Sequence, residues 1–129
     1  MTMELNLHGT PHAVATLADL QLALKQARSL AQCELWLTRA IDPEQGPALC
    51  LLRNGANAWL MYLSGQDDAS FHSLGDEEDD GVCSYWLANG QVDEYPSAWC
   101  IDVELAQLAL LQFFETGGAR PSAITWEPD

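Results

Sequence analysis

The sequence predicts an α+β fold: a mainly antiparallel β-sheet with two helices packed on one of its faces. Three observations carry that prediction. Two stretches, one near each end of the chain, repeat apolar residues at helical spacing and start at capping residues. Between them lie short runs of β-forming residues punctuated by glycine, asparagine and proline. The connections between those runs are mostly too short for parallel crossovers, so neighbours pair as hairpins. The 129 residues fit one domain, expected over 1–129, with no internal repeat and no linker.

Residues Glu4 to His8 alternate weakly and predict a short strand. In the first helix, Leu17, Leu20, Leu24, Ala27 and Ala31 recur on one side, with Gln21, Lys25 and Gln32 on the other. Thr16 is placed to cap its start, and Asp19 lies in the first turn. Strands are expected at Cys33–Thr38, Ala48–Arg53, Ala58–Leu63 and Ala69–Leu74. The segments 42–47 and 54–57 turn the chain, and Asn54-Gly55 between two apolar runs is a hairpin signal. Val82–Ala88 and Gln91–Tyr95 read as a second hairpin around Asn89-Gly90, ended by Pro96. Asp102 caps the second helix, and Gly117-Gly118 stops it near Thr116. That helix is apolar nearly all round, so it must be largely buried. A last strand is expected at Ala123–Trp126.

The net charge is −14. It argues against direct binding to nucleic acid or to an anionic membrane, both of which demand positive charge. It favours a basic protein partner. From Asn54 to Ala119 there are twelve acidic residues and no Lys or Arg. The densest run is Gly75-Asp76-Glu77-Glu78-Asp79-Asp80-Gly81. Read as a calcium loop, Asp76, Glu78 and Asp80 would stand at positions one, three and five, but the twelfth position is Leu87 where a bidentate Glu is needed. No metal or other cofactor is expected.

Catalytic signatures are lacking. His8 and His12 are separated by Gly9 and Pro11, which disfavours a helical metal pair, and His72 is expected to be a surface or half-buried residue and not a ligand. No nucleophile elbow, zinc-protease motif or phosphate loop occurs. The pairs Asp67-Asp68 and Asp93-Glu94 point to opposite faces in any regular strand, so neither converges on one substrate. Cys33, Cys50, Cys83 and Cys100 form no Cys-x-x-Cys pair and lie in or beside apolar runs, the habit of buried free thiols. With no secretory leader and no apolar stretch of roughly eighteen residues, a reduced, cytoplasmic protein is expected. Trp36 and Trp59 fit a core. Either Tyr85 or Trp86 must face outward, and Trp99, in the connection before the second helix, is a possible apolar anchor beside the carboxylates.

The order Tyr85-Trp86-Leu87-Ala88-Asn89-Gly90-Gln91-Val92-Asp93-Glu94-Tyr95-Pro96 leads into Ile101 and a helix carrying Ala106, Ala109, Phe113 and Phe114. Gly117-Gly118-Ala119-Arg120-Pro121 and Ile124-Thr125-Trp126 follow. Over residues 82–127 this resembles the first-numbered immunity-protein family of bacterial polymorphic toxin systems. One departure is Asp102 where the family pattern opens the helix with proline; either residue can start a helix. The resemblance implies a small cytoplasmic antidote that neutralises a cognate toxin, commonly a nucleic-acid deaminase with a basic cleft. The chain itself lacks the His-x-Glu and Pro-Cys-x-x-Cys of a zinc deaminase, so it is not the deaminase. On that reading the toxin-facing residues are Asp76, Glu77, Glu78, Asp79 and Asp80, assisted by Asp67, Asp68, Asp93 and Glu94, with Trp99 as anchor. The free protein is expected to be a monomer or weak dimer. On the residues alone, an interaction module for another basic protein and a small acid–base enzyme stay open.

Overall fold

The strands on either side of the Asn54-Gly55 turn are apolar at successive positions, and the architecture follows from burying both of their faces. The computed structural model describes residues 2–39, 46–65 and 70–129. Its elements are β1 (Met3–Leu7), β2 (Thr10–Val14), α1 (Leu17–Arg28), β3 (Gln32–Arg39), β4 (Ala48–Asn54), β5 (Asn57–Leu63), β6 (Ser70–Leu74), β7 (Val82–Trp86), β8 (Val92–Pro96), β9 (Ile101–Asp102), α2 (Val103–Glu115) and β10 (Thr125–Pro128). The main sheet runs β10-β6-β5-β4-β3-β1-β2, and β9 also pairs with β5. Every pairing is antiparallel. The expected α+β class and the two helices on one face are therefore present.

There are more strands than the sequence pattern predicts. Strand β2 follows a two-residue turn in which His8 (φ 48°) and Gly9 (φ 95°) are both left-handed, the geometry that matches strand twist. Pro11 sits on this edge strand, where a missing N–H breaks no ladder. Strand β9 is two residues long and exists only because β6 leaves β5 early. Strand β6 pairs β5 at Met61–Leu63, and β9 pairs it at Asn57 and Ala58. In the gap, the Leu60 N–H donates to Ser73 Oγ (3.0 Å), which donates to the Trp99 carbonyl (2.7 Å). One buried hydroxyl thus satisfies two backbone groups that would each cost about 1–3 kcal/mol unpaired.

The helices cover one face. Thr16 Oγ1 accepts from Asp19 N, and Asp19 Oδ2 accepts from Thr16 N and Ala15 N, closing a capping box. Helix α1 ends at Arg28, short of the expected Ala31, and the Arg53 guanidinium takes the Ala27 and Leu30 carbonyls there. Asp102 caps α2 through Glu104 N (2.8 Å). At its far end Gly118 (φ 111°) donates to the Phe113 carbonyl, and a Cβ on it would lie 2.3 Å from Pro47. Leu20 and Leu24 of α1 and Ala109, Leu110 and Phe113 of α2 pack on Leu5, Leu35, Leu51 and Leu60 of the sheet.

The other face carries a second core that the pattern does not predict. Strands β7 and β8 form a separate two-stranded sheet laid over β3 and β4. Its inner residues Tyr85, Cys83 and Tyr95 pack with Cys50, Leu52 and Trp59. The Tyr95 and Trp59 rings stack at 4.1 Å, tilted by 8°. Glu34 clamps hairpin to sheet: Oε1 accepts from Ala88 N (3.0 Å) and Oε2 from Trp36 Nε1 (2.8 Å). Asn54 Nδ2 donates to the Ser84 carbonyl (2.9 Å). His72 is 1% exposed and not at the surface, because Trp99 stacks on its ring at 3.8 Å and β10 runs alongside. Its Nδ1 meets the Ser73 carbonyl and its Nε2 lies 3.3 Å from Glu127.

Candidate protein-binding surface

Five adjacent carboxylates repel one another, so a fixed conformation for them needs anchors that do not depend on charge. The acidic loop joins β6 to β7, and both of its ends are pinned to one short segment. Gly75 N donates to the Ala98 carbonyl (2.7 Å), and Ser97 N donates to the Gly81 carbonyl (2.9 Å). Only glycine fits at 75, since a Cβ would lie 2.1 Å from the Cys100 carbonyl oxygen. Within the loop, Asp76 Oδ1 accepts from Glu78 N and Asp79 Oδ1 from Gly81 N. Asp76 to Asp80 are all exposed. The loop borders a shallow cleft of about 470 Å³ lined by Leu74, Gly75, Asp76, Glu77, Glu78 and Thr125. Among the described residues no His, Cys or Ser lines it.

The remaining sequence-derived residues are dispersed. Glu94 is exposed on β8. Asp93 is half-buried, accepting from Tyr95 Oη (3.1 Å) and Gln91 Nε2 (3.2 Å). Trp99 is half-buried in the second core between His72 and Tyr95. Asp67 and Asp68 lie outside the described residues. Among the described residues no group of three or more His, Cys, Asp or Glu is arranged to hold a metal ion. No helix among the described residues is long and apolar enough to cross a membrane.

Cys33 and Cys50 are buried, Cys83 and Cys100 half-buried, and all four are free. Burial raises the Cys33 and Cys50 thiols and pushes Cys100 up to about 12, although a hydrogen bond from Tyr85 Oη (3.0 Å) opposes the shift. Burial also raises Tyr85 and Tyr95, the latter further because Asp93 adds negative charge beside it. Cys33, Cys50, Cys100 and both tyrosines therefore stay neutral near pH 7 and supply no nucleophilic anion.

The cations are sorted to one side. Lys25 and Arg28 are on α1. Arg39 and Arg53 share strand faces with Leu37 and Leu51 of the helix-side core, and Arg120 lies over Phe71, which packs against that core. All five cations thus belong to the helix side. The hairpin side carries the acidic loop, Glu34, Asp93, Glu94, Glu127 and Asp129. On the hairpin itself the outer face bears Val82, Trp86 and Val92, all exposed.

The model of the family described as Immunity protein Imm1 matches residues 8–128. The chain belongs to that family. The Imm1 match takes in both helices and every strand from β2 onward, so the likeness visible in the C-terminal third of the sequence extends across the whole sheet. An immunity role, with a cognate toxin as partner, goes with Imm1 membership. Comparison with curated proteins finds no match. Sequence reasoning missed Glu34 as the hairpin clamp, and no local signal marks it. It narrowed the outward aromatic to Tyr85 or Trp86, and the geometry selects Trp86.

Proposed function

We propose that this protein neutralises its toxin by tight binding that occludes the toxin's substrate-binding or active site, and that the toxin is a nucleic-acid deaminase. It acts by binding and not by catalysis, in the cytoplasm, as a monomer or weak dimer when free. The observation that carries this reading is the acidic loop, held open by backbone anchors on the side of the molecule that has no Lys or Arg. An enzyme that acts on nucleic acid needs a basic cleft for phosphates. A fixed row of carboxylates competes for such a cleft and draws it in by long-range attraction. Because the loop is already ordered, little conformational entropy is lost on binding. Asp76 to Asp80 and Glu94 are the toxin-facing carboxylates in this reading, with Asp67, Asp68, Asp93 and Trp99 in support.

The direct test is co-purification of this chain with the toxic domain encoded beside it, followed by assay of that domain's deaminase activity. A complex with abolished activity is the expected result. Failure of the two to associate would overturn the toxin reading. Association with a toxin of other chemistry would keep the immunity role and remove the deaminase. Replacing the five loop carboxylates with Asn or Gln should slow association roughly tenfold or more at low salt and flatten its salt dependence. Unchanged association at low salt would take the loop out of the contact.

A further inference from the structure

A hairpin that covers an apolar sheet needs apolar residues on its inner face only, and its outer face is ordinarily polar. The β7–β8 hairpin departs from this. Its inner face carries the pairs Cys83–Tyr95 and Tyr85–Asp93. Its outer face carries Val82 opposite Pro96, Ser84 opposite Glu94, and Trp86 opposite Val92. Val82 is 63% exposed, and Trp86 and Val92 are 43% exposed each. Four of these six outward side chains are apolar, on a strand pair that the second core already satisfies from below. This face is also rigid. The Trp59–Tyr95 stack, the Glu34 clamp and the Asn54–Ser84 bond fix the hairpin to the sheet.

We propose that the outer face of the β7–β8 hairpin, centred on Trp86 and Val92, is the apolar anchor by which the protein holds its toxin. The inference rests on the immunity reading and specifies the surface. Charge defines the occupant. Gly81 joins the acidic loop directly to Val82, Glu94 interrupts the apolar pairs, and every Lys and Arg lies on the far side of the sheet. The matching surface is therefore an apolar patch rimmed by Lys and Arg, on a basic protein. A second copy of this chain fits poorly, because face-to-face pairing would bring two acidic loops and two Glu94 carboxylates together. The division of labour is specific: carboxylates govern encounter, and the Trp86 ring governs residence, as large aromatics do at the centres of interfaces.

The test is binding kinetics with the purified toxic domain encoded beside this chain. Wild type is compared with Trp86→Ala, Val92→Ser and, on α2, Leu108→Ala, with circular dichroism and melting confirming that each is folded. Trp86→Ala is expected to raise the dissociation rate at least tenfold while leaving the association rate and its salt dependence unchanged; Val92→Ser should act the same way, more weakly. Leu108→Ala should change neither rate. If wild type binds but Trp86→Ala dissociates at the wild-type rate, this inference falls and the immunity reading stands. If wild type does not bind, both fall. If the free protein sediments as a dimer that Trp86→Ala converts to monomer, the face is a self-association surface and the inference is overturned.

Discussion

The helix face of the sheet is closed mainly by Leu, Ala and Phe side chains, with one buried bond from Tyr62 Oη to the Gly118 carbonyl among them, while the hairpin face is closed by stacked rings, thiols and the hydrogen bonds of Glu34 and Asn54. The first face also carries the cations. The second carries the acidic loop and a strand pair whose outer side is open. Aliphatic packing has no directional bonds to satisfy, so its contribution scales with the area it buries. Aromatic stacks and hydrogen bonds fix positions, so they suit a platform that must meet a partner with little rearrangement. On the proposed reading, most of the stability lies on one face and most of the recognition on the other.

The largest expected effect comes from cutting into the helix face. Phe113 is fully buried and contacts Tyr62 edge-on, with ring centroids 6.2 Å apart. Phe113→Ala should cost about 3–5 kcal/mol, the range for deleting a buried ring. Denaturant titration checks it, with the slope unchanged and the midpoint lowered. The comparison breaks if Tyr95→Ala, which removes the main stack of the hairpin face, proves the more damaging of the two.

A middle-sized effect sharpens the comparison. Glu34→Ala removes one acceptor from Ala88 N and one from Trp36 Nε1, neither of them fully buried, so about 1–2 kcal/mol is the expected loss. That loss should be local. Amide exchange should quicken across residues 82–96 while β4 and β5 keep their protection. Equal quickening in both regions would mean that the hairpin and sheet open as one unit.

Much of the helix face was legible in sequence. Thr16 and Asp102 announce helix starts by side-chain chemistry that acts within four residues, and both form the expected caps. Asn54-Gly55 announces the β4–β5 turn for the same local reason. The hairpin face was less legible because its contacts are long-range. Nothing near Glu34 says that its carboxylate will meet Ala88, fifty-four positions away. One signal did exist. Continuous apolar runs in Ala48–Leu52 and Ala58–Leu63 require cover on both sides of the sheet, and the two helices supply only one. The acidic loop was visible as composition, but its rigidity depends on Ser97 and Ala98, which sequence alone does not bring to it.

The smallest effect lies at the rim of the helix face and depends on pH. Asp19 accepts hydrogen bonds from Ala15 N (3.0 Å) and Thr16 N (3.1 Å), and these bonds favour the charged carboxylate, holding it below its ordinary 3.8. A depressed value in the folded state means that Asp19 contributes its stability above the ordinary carboxylate range and loses it as pH falls through the depressed value. The melting temperature of Asp19→Ala should therefore lie below that of wild type at about pH 6, with the gap closing towards about pH 3. A gap that persists undiminished at low pH would show that the Asp19 side chain holds the helix start through contacts that do not need its charge. In that case the charge of Asp19 would add nothing measurable to the stability of the helix face, which would rest there on packing and uncharged hydrogen bonds.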